Sequence, residues 1–357
     1  MGLTFAELGG WPGVLGRLFS REDLDAEEAS AAFSEVLSGA ASAAQVAAFA
    51  AALRTKGETA EELSGLVDAM RSRSLVVRVE GELVDTCGTG GDRSGSLNAS
   101  TLAALVVAAS GARVCKHGGR AASSQAGSAD VLEALGVAVE LGPAGVARCI
   151  EETGIGFCYA PRFHPAMRHA APIRRQLGAP TTFNFLGPLA NPGGARRQLV
   201  GVGDASMADK MLSVLEANGA RHVMIVHGHD GLDELSISAV SSVLELRFDS
   251  AAGEVLRRRY DVDAVEAGLS RAPLEALRGG SPERNAALVR SVLAAEPGPL
   301  LDFALWNAAG GLVVAGVAAD LAAGVESARE LVSSGAAAAV LDRLIAVSRQ
   351  AADDGLT

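Results

Sequence analysis

The sequence predicts an α/β protein, a small α-helical domain joined to a larger α/β domain with a mostly parallel central sheet. Three observations predict it. The first 75 residues read as short helices with start and stop signals at their ends. From residue 83 onward, short apolar runs give way to a glycine-rich loop or turn and then a helix, the alternation that builds parallel sheets covered by helices. The chain has 357 residues, 49% of them apolar, enough for one large core and a smaller one. The expected division is 1–78 for the helical domain and 79–357 for the α/β domain, with a segment near 162–192 returning to the helical domain.

In chain order, Asp25 is placed to cap AEEASAAFSEVLSG, which Gly39 ends. Ser42 is placed to cap AAQVAAFAAALRTKG, with Gly57 as its stop, and Thr59 with Glu62 has capping-box spacing before EELSGLVDAMRSRS. LVDTC reads as a strand, NASTLAALVVAAS as a helix, ARVCK as a strand and SADVLEALGV as a helix. GFCYA, QLVGVG and HVMIVHG are further strands, with MADKMLSVLEANG a helix between the last two. In the last hundred residues, NAALVRSVLAA, LDFALWNAAGGLVVAG and ELVSSGAAAAVLDRLIAVSRQ read as helices.

Composition removes several functions. The net charge is −11 and no basic stripe is present, which argues against a nucleic-acid partner. Aromatic residues are only 4%, so helices are expected to pack through small side chains. Cys87, Cys115, Cys149 and Cys158 form no C-x-x-C pair and read as buried small hydrophobes in a reducing compartment. The N-terminus lacks the pattern of a signal peptide, and no apolar run is long enough to span a membrane. The expectation is a cytoplasmic protein with no membrane partner.

Three motifs carry chemistry. DTCGTGGDRSGSLNAST, residues 85–101, runs from a strand through Gly88, Gly90 and Gly91 into a helix. Glycines allow close backbone approach, and the helix start offers free N–H groups with the hydroxyls and amide of Asn98, Ser100 and Thr101, a cradle for phosphate. Its spacing is neither that of a P-loop nor that of a dinucleotide fingerprint. KHGGRAASSQAGSADVLEALG, residues 116–136, repeats the strand–loop–helix arrangement and brings Lys116, Arg120, Ser123, Ser124 and Ser128. Only Lys56, Lys116 and Lys210 are lysines, which makes one inside a glycine-rich loop conspicuous. Two such units aim two anion sites at one cleft beyond the strand ends. VHGHDGLDELS brings Asp230, Asp233 and Glu234 after a strand, and neighbouring carboxylates beside phosphates suit magnesium. In the returning segment Arg174 is suited to hold a carboxylate, and His164 lies near it in sequence.

GTGGD, NAST, KHGGRAASS, GSADVLEALG, HPAMRHAAPIRRQLG, FNFLGPLANP and DGLDE, in this order, resemble the anthranilate phosphoribosyltransferase family from about residue 20 to the C-terminal helices. The resemblance implies a nucleoside phosphorylase-like fold, a homodimer, and transfer of phosphoribose from 5-phosphoribosyl 1-pyrophosphate to anthranilate in tryptophan biosynthesis. It implies donor contacts at Gly88, Gly91, Asp92, Ser96, Asn98, Ser100, Thr101, Lys116, Ser124 and Ser128. It implies acceptor contacts at Gly88, His117, Gly119 and Arg174, and two magnesium ions held through Ser100, Asp233 and Glu234. Gly119 departs from the family, which has asparagine there, so a related aromatic acceptor is the alternative substrate. A nucleoside phosphorylase of the same fold would not need the Asp233–Glu234 pair, and a nucleic-acid-binding, non-catalytic relative is opposed by the acidic charge.

Overall fold

The computed structural model describes residues 4–92, 94–121, 125–250 and 252–357. The chain opens with four helices: α1 (Gly10–Phe19), α2 (Ala26–Ser38), α3 (Ala43–Lys56) and α4 (Ala60–Arg71). Asp25, Ser42 and Thr59 cap α2, α3 and α4 through capping boxes, and Gly39 closes α2 in the left-handed conformation at φ 80°. The sequence reading gives three helices here and omits α1. That helix starts at Gly9 with no side-chain cap, so the usual start signal is absent.

The α/β part follows as β1 (Leu83–Gly88), α5 (Ala99–Ala109), β2 (Arg113–Gly118), α6 (Ser128–Leu135), α7 (Pro143–Thr153) and β3 (Ile155–Tyr159). A returning stretch holds the short helices α8 (Ala160–Phe163), α9 (Ala171–Leu177) and α10 (Leu186–Leu189). Then come β4 (Arg197–Gly201), α11 (Ala208–Ala217), β5 (His222–Gly228), β6 (Ser241–Asp249) and β7 (Glu254–Val262). The chain ends with α12 (Pro282–Leu293), α13 (Pro299–Ala315), α14 (Leu321–Ser333) and α15 (Ala336–Asp353). The sheet order is β3-β2-β1-β4-β5-β6-β7, with β1 to β5 parallel and the last two strands antiparallel.

Two features differ from the sequence reading. The β6–β7 hairpin is absent from it, because β7 is an exposed edge strand carrying three successive arginines, Arg257 to Arg259, and shows no alternation of apolar and polar residues. The final helical stretch is two helices, bent by 62° where Gly335 takes φ 79°.

The strands alternate between two cores. On β5, Met224 and Val226 pack with α5 and α13, whereas Val223 and Ile225 face a second core that also holds Trp11, Phe33, Phe49, Met211 and Phe183. One face of the sheet and the helical lobe therefore share a core. The returning stretch adds to it, with the Phe183 ring 5.0 Å from Phe33 and 6.5 Å from Phe49. Arg54 of α3 adds a polar link, reaching Asp204 after β4 and stacking over Phe185. No single helix among the described residues is long and apolar enough to cross a membrane, and the apolar α5 and α13 are core helices.

Helix α4 approaches α2 through Gly65, where an added Cβ would lie 2.1 Å from the Ala26 carbonyl oxygen. Backbone cannot yield as a side-chain tip can. Gly65→Ala is expected to lower stability by about 1–3 kcal/mol despite the better helix propensity of alanine. Urea unfolding monitored by circular dichroism checks it, and unchanged stability would contradict the close packing.

Candidate active site

The site is built where the parallel strands end. Strand β1 runs into a turn in which Gly90 and Gly91 take φ 68° and φ 89°, conformations that favour glycine. The turn folds against the loop after β5. The Gly90 N–H donates to Asp233 Oδ2 at 2.7 Å, and the Ser100 N–H, at the start of α5, donates to Glu234 Oε1 at 3.2 Å. Crowding by Asp233 explains two glycines. An added Cβ at Gly88 would lie 2.4 Å from Asp233 Oδ2, and at Gly201 it would lie 1.5 Å from the Asp233 carbonyl oxygen.

Lys116 comes from β2 and is 1% exposed. Its ammonium donates to the Thr86 carbonyl at 2.6 Å and to Ser100 Oγ at 3.3 Å. It forms no ion pair among the described residues, so two of three donors are used on neutral oxygens and one is left for a ligand. Burial pushes its pKa below the usual lysine value, opposed by the charges of Asp85 and Glu234.

The acidic side is the converse. Burial, then the charges of Asp92 and Glu234, push the Asp233 pKa well above the carboxylate range. Burial raises Glu234 to about 7, although Lys116 pulls the other way. Carboxylates so placed are short of positive charge. Among the described residues no three His, Cys, Asp or Glu side chains cage a metal by themselves. Magnesium takes one or two carboxylates and completes its shell with phosphate oxygens and water. Asp233, Glu234 and the Ser100 hydroxyl fit it by donor chemistry.

The other expected donor residues fall around the same turn. Asp92 Oδ2 accepts from Ser94 Oγ at 2.6 Å, and Ser94 Oγ lies 3.1 Å from Ser96 Oγ. Thr101 Oγ1 donates to Ser128 Oγ at 3.1 Å, tying the start of α5 to the start of α6. The Asn98 amide also braces the site, accepting from Asn285 at 3.0 Å and donating to the Ala126 carbonyl at 3.1 Å. Ser123 and Ser124 lie outside the described residues.

Two readings from the sequence need correction. Arg120 does not bring free charge to the cleft, because it pairs with Asp130 at 2.9 Å and Glu133 at 2.7 Å and stacks on Tyr159. Asp230 is not with the acidic pair, since it accepts from Ser236 Oγ at 2.6 Å and shapes its own turn. Local sequence shows charge at both positions but not the neighbours that consume it.

On the expected acceptor side, the His117 Nδ1 lies 3.0 Å from the Gly187 carbonyl, which sets this nitrogen as the donor and leaves the buried Nε2 without a partner among the described residues. Its ring centroid is 4.9 Å from that of His164, whose Nδ1 lies 2.6 Å from Ser74 Oγ. Burial lowers both imidazole pKa values, so both rings are neutral at pH 7. The Arg174 guanidinium, on α9, has no hydrogen-bond or ion-pair partner among the described residues, and burial lowers its pKa. A half-buried guanidinium with no anion beside it among the described residues suits a ligand carboxylate. At Gly119 an added Cβ would meet, among the described residues, only Ala160 Cβ, at 3.9 Å.

The sequence reading does not single out Asp85, Asn191 or Asn307. Asn307 lies on α13 and clamps the acidic loop, accepting from the Leu235 N–H at 2.9 Å and donating to the Leu235 carbonyl at 3.0 Å. Its one signal is a polar residue inside the apolar run LDFALWNAAGG.

Family models match both parts of the chain: the helical bundle domain of the glycosyl transferase family over residues 12–74, and its a/b domain over residues 80–338. An anthranilate phosphoribosyltransferase from Roseiflexus castenholzii is 52% identical over 91% of this chain and 95% of its own length. The crystal structure of anthranilate phosphoribosyltransferase from Thermus thermophilus is similar with a TM-score of 0.86 at 44% identity, over 94% of this chain and 99% of that one. The Saccharomyces cerevisiae enzyme in complex with PRPP and Mg is similar with a TM-score of 0.85 at 25% identity, over 95% and 98%. With both domains matched and 52% identity to a relative over nearly the full length, the chain belongs to the anthranilate phosphoribosyltransferase family.

Proposed function

We propose that the chain transfers phosphoribose from 5-phosphoribosyl 1-pyrophosphate to anthranilate, releasing pyrophosphate, in tryptophan biosynthesis. The observation that carries this reading is the presence of two cationic groups with no ion-pair partner among the described residues, Lys116 and Arg174, together with the buried acidic pair Asp233 and Glu234. The named relatives and solved neighbours support it.

In this reading the donor lies over the Gly88–Asp92 turn and the starts of α5 and α6, contacting Gly88, Gly91, Asp92, Ser96, Asn98, Ser100, Thr101, Lys116, Ser124 and Ser128. The backbone N–H groups and Lys116 stabilise the charge that develops on the departing pyrophosphate, a largely electrostatic form of catalysis. Two magnesium ions held by Ser100, Asp233 and Glu234 supply further charge neutralisation there. Arg174 holds the anthranilate carboxylate, with His117 and Gly119 along its path, so that the amine faces the anomeric carbon. An aromatic amine is uncharged at pH 7, so its attack needs no strong base. The domain division at 78/79, a homodimer and a cytoplasmic setting complete the proposal, and the net charge of −11 supports no nucleic-acid partner.

The space at Gly119 favours a second substrate reading, an anthranilate bearing a ring substituent. Pyrophosphate release with anthranilate and substituted anthranilates, in wild type and Gly119→Asn, tests both. Replacing the missing amide restores one neutral hydrogen bond, about 0.5–1.5 kcal/mol. The expected result is turnover of anthranilate by wild type, with its specificity constant unchanged to about tenfold higher in Gly119→Asn. No turnover of anthranilate by either protein would overturn the acceptor assignment.

Lys116→Ala separates the two substrates. The Michaelis constant for the phosphoribosyl donor is expected to rise at least about tenfold, roughly 1.4 kcal/mol of lost binding, with a smaller change for anthranilate. Steady-state kinetics with each substrate varied in turn checks this. Equal changes for both would assign Lys116 a structural role.

A further inference from the structure

Strands β1 and β2 begin as parallel neighbours and then part. Their pairing runs through Leu83↔Arg113 and Val84↔Val114 and ends there. Each continues with its other neighbour, β1 with β4 as far as Gly88↔Gly201 and β2 with β3 as far as Gly118↔Tyr159. The backbone groups left open between them are buried and need other partners. Side chains supply them. Asp85, fully buried, accepts from the His117 N–H at 3.2 Å. Asn191, from the returning stretch, donates to Asp85 Oδ2 at 2.7 Å and to the Cys115 carbonyl at 2.8 Å. Lys116 fills the remaining gap by donating to the Thr86 carbonyl at 2.6 Å. Asn191 is itself fixed, its Oδ1 accepting from the Gly193 N–H at 2.8 Å.

We infer that Asp85 and Asn191 are positioning residues that wedge β1 and β2 apart at the cleft and so set Lys116 and His117 together. Successive residues of a strand point to opposite sides. Lys116 reaches Ser100 on the donor side, and His117 reaches Gly187 and His164 on the side of the returning stretch. One polar wedge between them governs both. A continuous ladder would leave the Thr86 carbonyl to a backbone N–H and withdraw the anchor that aims Lys116. Because Asn191 belongs to the returning stretch, the same wedge also ties that stretch to the sheet.

The kinetic part of the test rests on the proposed function, whereas the exchange part does not. Hydrogen exchange read by mass spectrometry on the full chain compares wild type, Asp85→Asn and Asn191→Ser. Amides of residues 115–119 are expected to exchange at least about tenfold faster in both variants, with β4 and β5 as protected as in wild type. In steady-state kinetics the Michaelis constants for donor and acceptor should rise together, unlike the donor-selective effect of Lys116→Ala. Should Asp85→Asn not fold, Asn191→Ser, which removes the amide and leaves room for water, carries the test. Unchanged exchange at 115–119, an increase spread over the whole sheet, or a change confined to one substrate each overturns the inference. A wild type inactive on anthranilate would refute the proposed function and leave the exchange result to decide the wedge.

Discussion

Asp233 and Glu234 sit where water is largely excluded, and each is held by a backbone N–H of the loop it faces, Gly90 for one and Ser100 for the other. Burying carboxylates in this way costs free energy that two N–H bonds offset only in part. Much of the surrounding structure serves that arrangement. Gly88 and Gly201 have no side chain because the Asp233 main chain and carboxylate occupy the space. Asn307 clamps Leu235 from below the loop. Lys116 stands across the cleft with an unspent donor. The loops are bonded to one another across the cleft, so the position of any one depends on the others.

The second constraint is the core shared by the helical lobe and one face of the sheet. Phe183 from the returning stretch packs on Phe33 and Phe49 of the lobe. Asn191, a few residues later, bonds to β1 and β2. The stretch that carries Arg174 is therefore anchored at both sides of the cleft. This gives a physical reason for its long departure from strand and helix alternation: a regular βα unit could not bridge from sheet to lobe and back.

Features set by local chemistry are legible in the sequence. The caps at Asp25, Ser42 and Thr59 involve residues three apart, and the structure shows all three boxes. The Gly90–Gly91 turn, Lys116 and the Asp233–Glu234 pair stand out because glycine clusters, a scarce lysine and adjacent acids are visible without neighbours. What escapes depends on distant contacts. Helix α1 lacks a cap signal, and the exposed arginines of β7 hide its strand. Arg120 looks free in the sequence because Asp130 and Glu133 reach it only once α6 is folded. Asp85 and Asn191 are 106 positions apart, and neither stands out in its own segment.

The central claim is that the acidic pair and the glycine turn form one donor site that needs a divalent cation. Calorimetric titration of the wild-type chain with 5-phosphoribosyl 1-pyrophosphate, in magnesium and again in excess chelator, tests it most directly. The account predicts saturable binding in magnesium, weakened at least about tenfold by the chelator, a loss of roughly 1.4 kcal/mol. Equal affinity in both conditions would contradict it.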